Sequence, residues 1–170
     1  MQAKGKILYK EDKERLFIRI TGELRHTMSG GFEALLKKYL NEKSIIEDIL
    51  VDMNDAVYLD STNLGLLAQV ARYLVKRFNH KPTLLCSNKN ILTLLETMGF
   101  DQIFTIIKDK DSCQNGMTEV GDVTQDACAK ARMMLEAHRA LVELNARNAQ
   151  VFKNVVELLE KELGSDITKE

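Results

Sequence analysis

The sequence predicts an α/β fold: a mixed β-sheet with helices packed on it, followed by a long C-terminal α-helix or helical hairpin. Two observations carry this expectation. Between residues 6 and 106 the apolar periodicity switches repeatedly between the two-residue repeat of strands and the 3.6-residue repeat of helices, as an alternating α/β chain requires. Residues 123–163 then contain neither Pro nor Gly and are rich in Ala, Leu, Glu, Arg and Lys, which is a helix composition. The organisation expected is a sheet domain over 1–107, a linker over 108–122 and a helical extension over 123–164.

The elements follow in order. Ile7-Leu8-Tyr9 and Leu16 to Ile20 read as two strands, the second alternating Leu16, Ile18 and Ile20 with Phe17 and Arg19. Glu11 to Glu14 supplies a polar hairpin turn between them. Phe32, Leu35, Leu36, Tyr39 and Leu40 recur at helical spacing, with Thr27 or Ser29 placed to cap that helix. Ile49 to Met53 is a short apolar strand interrupted by Asp52. Leu64, Leu67, Ala71, Leu74, Val75 and Phe78 form an amphipathic helix beginning near Thr62. Pro82 to Cys86 reads as a buried strand. Ile91, Leu94, Leu95 and Met98 mark a third helix, closed by Gly99 as a left-handed cap with Phe100 packing behind it. Ile103 to Ile107 is the last strand expected.

In the extension, Asp122 and Gln125 resemble a capping box and Gly164 is a natural stop. Ala131, Leu135, His138, Val142, Asn145, Ala149, Phe152, Val156, Leu159 and Leu163 form a heptad-like seam, with His138 and Asn145 as polar interruptions. One continuous helix is expected, and a hairpin broken near Asn145-Ala-Arg-Asn148 is the alternative. A stripe this long must pack on something. The expectation is assembly through residues 123–163, as a homodimer or with a helical partner, because polar seam residues suit paired helices better than a dry intrachain core.

Composition narrows the function. With 24 basic and 25 acidic residues the net charge is −1, and no basic block of the kind that grips nucleic acid occurs. The N-terminus lacks an apolar signal core and no run approaches the roughly 18 apolar residues of a membrane span, so a cytoplasmic protein is expected. Cys86, Cys113 and Cys128 lack CxxC spacing, and His26, His80 and His138 stand apart. Neither a metal site nor a cofactor is expected. No phosphate-binding glycine loop, zinc-protease helix or nucleophile elbow is present in the sequence, so no catalytic residue is assigned.

The informative stretch runs from Asp55 to Leu67 and holds Asp60-Ser61-Thr62-Asn63-Leu64-Gly65 at the start of the second helix. The plainest role for Asp, Ser or Thr there is to cap the helix. The stretch also resembles the signature of STAS domains found in bacterial anti-sigma factor antagonists. Ile18-Arg-Ile-Thr-Gly-Glu-Leu24 is similar to that family's second strand, and Leu94-Leu-Glu-Thr-Met-Gly-Phe100 with Ile103-Phe104 to its closing segment. The resemblance covers residues 6–107 and leaves out the extension.

It implies that Ser61 is phosphorylated by a serine kinase that is also the anti-sigma factor, and that a serine phosphatase reverses this. It further implies partner contact through Asp60, Ser61, Thr62, Asn63, Gly65, Glu23 and Arg25. Two departures stand out. Asn63 occupies a position where Gly is usual, and Arg25 one that is often acidic. The implied function is a phosphorylation-controlled protein-binding switch in partner switching. A non-catalytic scaffold subunit of a transport or sensor complex is the alternative, and a pure scaffold needs neither Asp60 nor Ser61.

Overall fold

The computed structural model describes residues 4–110 and 115–167. Its strands are β1 (Lys6–Asp12), β2 (Arg15–Leu24), β3 (Asp48–Leu59), β4 (Thr83–Leu85), β5 (Thr105–Ile107) and β6 (Thr118–Glu119). Its helices are α1 (Ser29–Tyr39), α2 (Ser61–Phe78), α3 (Lys89–Thr97), α4 (Ala127–Val142) and α5 (Ala146–Ile167). The six strands form one mixed sheet in the order β5-β4-β3-β2-β1-β6. β1 pairs antiparallel with β2 and β6, while β2, β3, β4 and β5 run parallel. A helix connects each parallel step, because parallel neighbours need a crossover rather than a tight turn.

The expected alternation in β2 holds: Leu16, Ile18 and Ile20 are fully buried, and the residues between them stay partly exposed. β3 is much longer than the five residues expected. Its polar Asn54 and Asp55 break the apolar run, yet the strand continues to Leu59 because its backbone pairs with β2 as far as Leu24 through two register shifts. Gly99 takes a left-handed backbone (φ 84) at the end of α3, and Phe100 behind it is fully buried, as a Schellman-type close demands. Two residues of the 108–122 stretch, Thr118 and Glu119, pair with Tyr9 and Leu8 on the edge of the sheet.

Three local expectations are corrected. Neither Thr27 nor Ser29 caps α1; its N-cap is Met28, which has no side-chain cap bond, and Ser29 turns inward. The cap of α4 is Asp126, whose carboxylate accepts from the Ala129 N–H at 2.7 Å, in place of an Asp122–Gln125 box. Gly164 does not stop α5, which continues to Ile167.

The single long helix gives way to the hairpin alternative. α4 ends at Val142 and α5 begins at Ala146, with Asn145 Oδ1 accepting from the Asn148 N–H at 2.8 Å to cap the new helix. The polar seam residues therefore sit within one chain. Asn148 is fully buried, donating through Nδ2 to the carbonyls of Met98 and Leu141, both at 2.9 Å. His138 is 3% exposed. Satisfied hydrogen bonds make such burial tolerable. Met133, Ala137, Ala140, Leu141 and Phe152 join the same hydrophobic cluster as the sheet and α2. Val151, Val155 and Leu158 face outward on α5.

Candidate functional site

β3 ends at Leu59, and Asp60 follows in extended backbone (φ −84, ψ 174) before the chain turns into α2. That geometry makes Asp60 the N-cap. Its carboxylate accepts from the Asn63 N–H at 3.1 Å, satisfying a donor that the helix leaves open, and sets negative charge at the positive end of the helix. The Asp60 N–H donates to the Leu24 carbonyl at 3.3 Å, fastening the turn to the end of β2. Ser61 is thereby fixed as the first helical residue.

Asn63 holds this turn from inside. It is fully buried; its Oδ1 accepts from the Ser29 hydroxyl at 3.0 Å, and its Nδ2 donates to Asp60 Oδ1 at 2.9 Å and to the Leu24 carbonyl at 3.3 Å. One amide thus ties together the end of β2, the start of α1 and the cap of α2. A glycine at this position would offer none of these bonds. Thr62 is also buried, at 2% exposure.

Ser61 is partly buried, and its hydroxyl lies 2.9 Å from His138 Nε2 on α4. The tautomer follows from the other ring nitrogen. Nδ1 lies 2.6 Å from the Met134 carbonyl, which can only accept, so the proton resides on Nδ1. In the neutral ring Nε2 is then the acceptor and the Ser61 hydroxyl donates to it. The Phe152 ring meets the imidazole edge to face, centroids 5.5 Å apart, and closes the far side.

The other expected contact residues divide into two groups. Gly65 lies under α4, where an added Cβ would collide with the Ala137 carbonyl. Glu23 and Arg25 lie on the open side of the turn. Arg25 donates to Glu23 Oε2 from Nη2 at 3.1 Å, and its guanidinium stacks over the Tyr58 ring 4.8 Å from the centroid. His26 Nδ1 is 3.6 Å from Asp60 Oδ2. Val57 and Tyr58 add apolar surface to this open rim, at 45% and 41% exposure.

Sequence reasoning missed the rim residues Val57 and Tyr58, and missed His138 as a site residue. His138 did carry a signal, as a polar break in an apolar seam. Val57 and Tyr58 carried none: they are consecutive, and both face outward because the pairing with β2 shifts register between Gly22 and Glu23, which strand alternation does not foretell.

A Ser–His pair oriented by a carbonyl has the composition of an activated nucleophile. Two cavities lie elsewhere on the molecule. One cavity, about 490 Å³, is lined by residues of α1, α2 and α4 including Lys37, Arg72 and Glu136, and another, about 500 Å³, lies near Lys4 and Glu119. Neither is lined by Ser61 or His138. Among the described residues, no cluster of three or more His, Cys, Asp or Glu side chains could hold a metal ion, and no helix is long and apolar enough to cross a membrane.

The STAS domain family model matches residues 6–113. No curated protein matches the sequence. Among solved structures, the anti-sigma factor antagonist SpoIIAA in its unphosphorylated form is similar with a TM-score of 0.52 at 18% identity, over 62% of this chain and 90% of that one. The Bacillus cell fate determinant SpoIIAA in its phosphorylated form aligns with a TM-score of 0.43 at 17% identity, over 62% and 93%. At such identities the likeness is one of fold.

Proposed function

Because the chain belongs to the STAS domain family, we propose that it is a phosphorylation-controlled protein-binding switch of the anti-sigma factor antagonist kind, with Ser61 as the phospho-acceptor. The observation that carries this reading is the placement of Ser61 as the first residue of α2, directly after the capping carboxylate of Asp60.

A phosphate there adds about −1.5 to −2 charges at the positive end of a helix, where the backbone tolerates it. The fold therefore need not rearrange, and the effect falls on an interface. Bringing that charge into a docked, desolvated patch costs a partner about 2.7 kcal/mol for each hundredfold loss of affinity. Asp60, Ser61, the half-buried Glu23 and the exposed Arg25 form the contact rim in this reading. Buried Thr62 and Asn63, with Gly65, shape the turn behind it.

The partners are an anti-sigma factor or other serine kinase bringing its own nucleotide, and a serine phosphatase. The chain itself performs no catalysis, and its place is the cytoplasm. One observation favours the scaffold alternative: the Ser61 hydroxyl is occupied by His138 rather than open.

The two readings separate on one experiment. The full chain is incubated with ATP and each candidate serine kinase, and intact mass is followed by peptide mapping. One phosphate on Ser61, absent from Ser61→Ala, is the expected result. A chain that no kinase modifies, or a phosphate that maps to Thr62 or Ser29, would overturn the switch and favour the scaffold.

A further inference from the structure

The hairpin lies outside the stretch matched by the family model, which ends at residue 113. It nonetheless rests directly on the functional turn. Three residues of one α2 row, spaced four and seven apart, meet α4 in succession. Ser61 bonds His138, Gly65 lies against the Ala137 backbone, and Arg72 Nη1 donates to Glu143 Oε2 at 3.4 Å. Ala68 stands in the same row and is buried. Only small residues let two helix backbones approach this closely.

α4 is anchored in the core by Met133 and Leu141. Along the Ser61 row itself the fit is close but made of small groups, since Ala137 and Ala140 contribute little apolar area each. The Arg72–Glu143 pair is exposed, and such pairs are weak. The Ser61 hydroxyl, meanwhile, has its hydrogen bond taken by His138, behind which Phe152 closes the site.

We propose that the α4–α5 hairpin is a resident occupant of the Ser61 face, and that a protein reaches Ser61 only when α4 lifts. The surface so uncovered, the Ser61–Gly65–Ala68–Arg72 row, fits a partner helix that presents small side chains in its contact row, as α4 does. The biological meaning of this rests on Ser61 being the phospho-acceptor, but its test does not.

The test uses a thiol reporter in the full chain: Ser61→Cys combined with Cys113→Ser and Cys128→Ser, labelled with an uncharged maleimide under native conditions. Cys86 is fully buried and burial pushes its thiol up, so it stays silent while the chain is folded and reports any global unfolding. Lys153→Cys, exposed on α5, gives the reference rate for an open thiol. The position-61 thiol should react at least tenfold more slowly than that reference.

Two added substitutions should open the face. Ala137→Glu, in the α2–α4 contact, should speed labelling at least tenfold with Cys86 still protected. Glu143→Arg, which leaves the core untouched, should speed it about threefold by reversing the exposed pair. A synthetic peptide of residues 126–164 added to the Ala137→Glu chain should slow labelling again. Labelling of the unaltered chain at the reference rate overturns the proposal. So does an Ala137→Glu or Glu143→Arg chain that keeps the slow rate, or a peptide without effect at any concentration. If labelling behaves as expected and no kinase modifies Ser61, the occupant stands and the phospho-switch falls.

Discussion

The chemistry of the site is concentrated in two side chains that each reach a partner far away in sequence. Asn63 reaches Ser29, Leu24 and Asp60, and His138 reaches back to Ser61. Losing the Asn63 amide strands the Ser29 hydroxyl, which is fully buried, and takes one of two donors from the Leu24 carbonyl, which keeps the Asp60 N–H. Asn63→Ala should therefore cost about 2–3 kcal/mol in stability, read as a lower urea midpoint at an unchanged slope. Asn63→Asp should cost more despite its near-identical shape, because it sets an acceptor against the Asp60 carboxylate where Nδ2 now donates. If Asp at position 63 proves neutral, the bonds described for this amide do not hold the turn. A cap among Asp60, Ser61 and Thr62 was legible in the sequence, since capping is a local matter of a few residues, and the structure gives it to Asp60. The Ser29–Asn63 bond was not, because nothing within a helix-length window tells a serine that its acceptor lies 34 residues on.

At the scale of elements, the periodic segments were the legible ones: β2, α2 and α3 fall close to where their apolar spacing places them. β3 outran its apolar run because pairing with β2 supplies what its polar middle lacks, an instance of tertiary context overriding local propensity. The hairpin break shows the opposite limit. Nothing stronger than Asn145 and Asn148 marks it, and the heptad-like seam runs straight through. What fixes the break is Asn148, which serves the Met98 carbonyl at the end of α3 and the Leu141 carbonyl near the end of α4. Asn148→Ala leaves both carbonyls buried without this donor. It should destabilise the chain by about 2 kcal/mol, visible as a lower thermal midpoint. It should also raise amide exchange in residues 141–150 before the sheet is affected. Uniform exchange across the chain would mean that this side chain does not secure the hairpin's tip.

For the molecule as a whole, one hydrophobic cluster runs from the sheet through α2 into α4 and α5, so the hairpin is packed as part of the fold. Yet over the Ser61 row it meets α2 through small residues and a few polar ties, and its outer row of Val151, Val155 and Leu158 is in water. Local stability should grade accordingly. In native-state hydrogen exchange, amides of β2, β3 and α2 should exchange only through global unfolding, while those of α4 and α5 should exchange through a smaller opening of lower free energy. Equal protection throughout would mean that the hairpin separates only when everything unfolds, and a partner could not displace it from a folded domain. The sequence showed that the long apolar stripe needed cover. It did not show that the cover lay within the same chain, because burial of the stripe depends on α2 offering Gly65 and Ala68, whose smallness reads as ordinary helix composition until a second helix lies on it.

The short connection into α4 also has a consequence for dose. Residues 120–126 lie along α1, with Gln125 Nε2 donating to Glu33 Oε1 at 3.2 Å, so the lifted hairpin stays within reach of its seat. A tethered ligand of this kind acts at an effective concentration on the order of millimolar. A free competitor of equal intrinsic affinity at micromolar levels would then hold the face about one time in a thousand. The threshold at which such a chain responds is written into the hairpin's own grip. Small changes along α4, each worth a fraction of a kcal/mol, would shift the partner concentration needed without touching any residue the partner contacts.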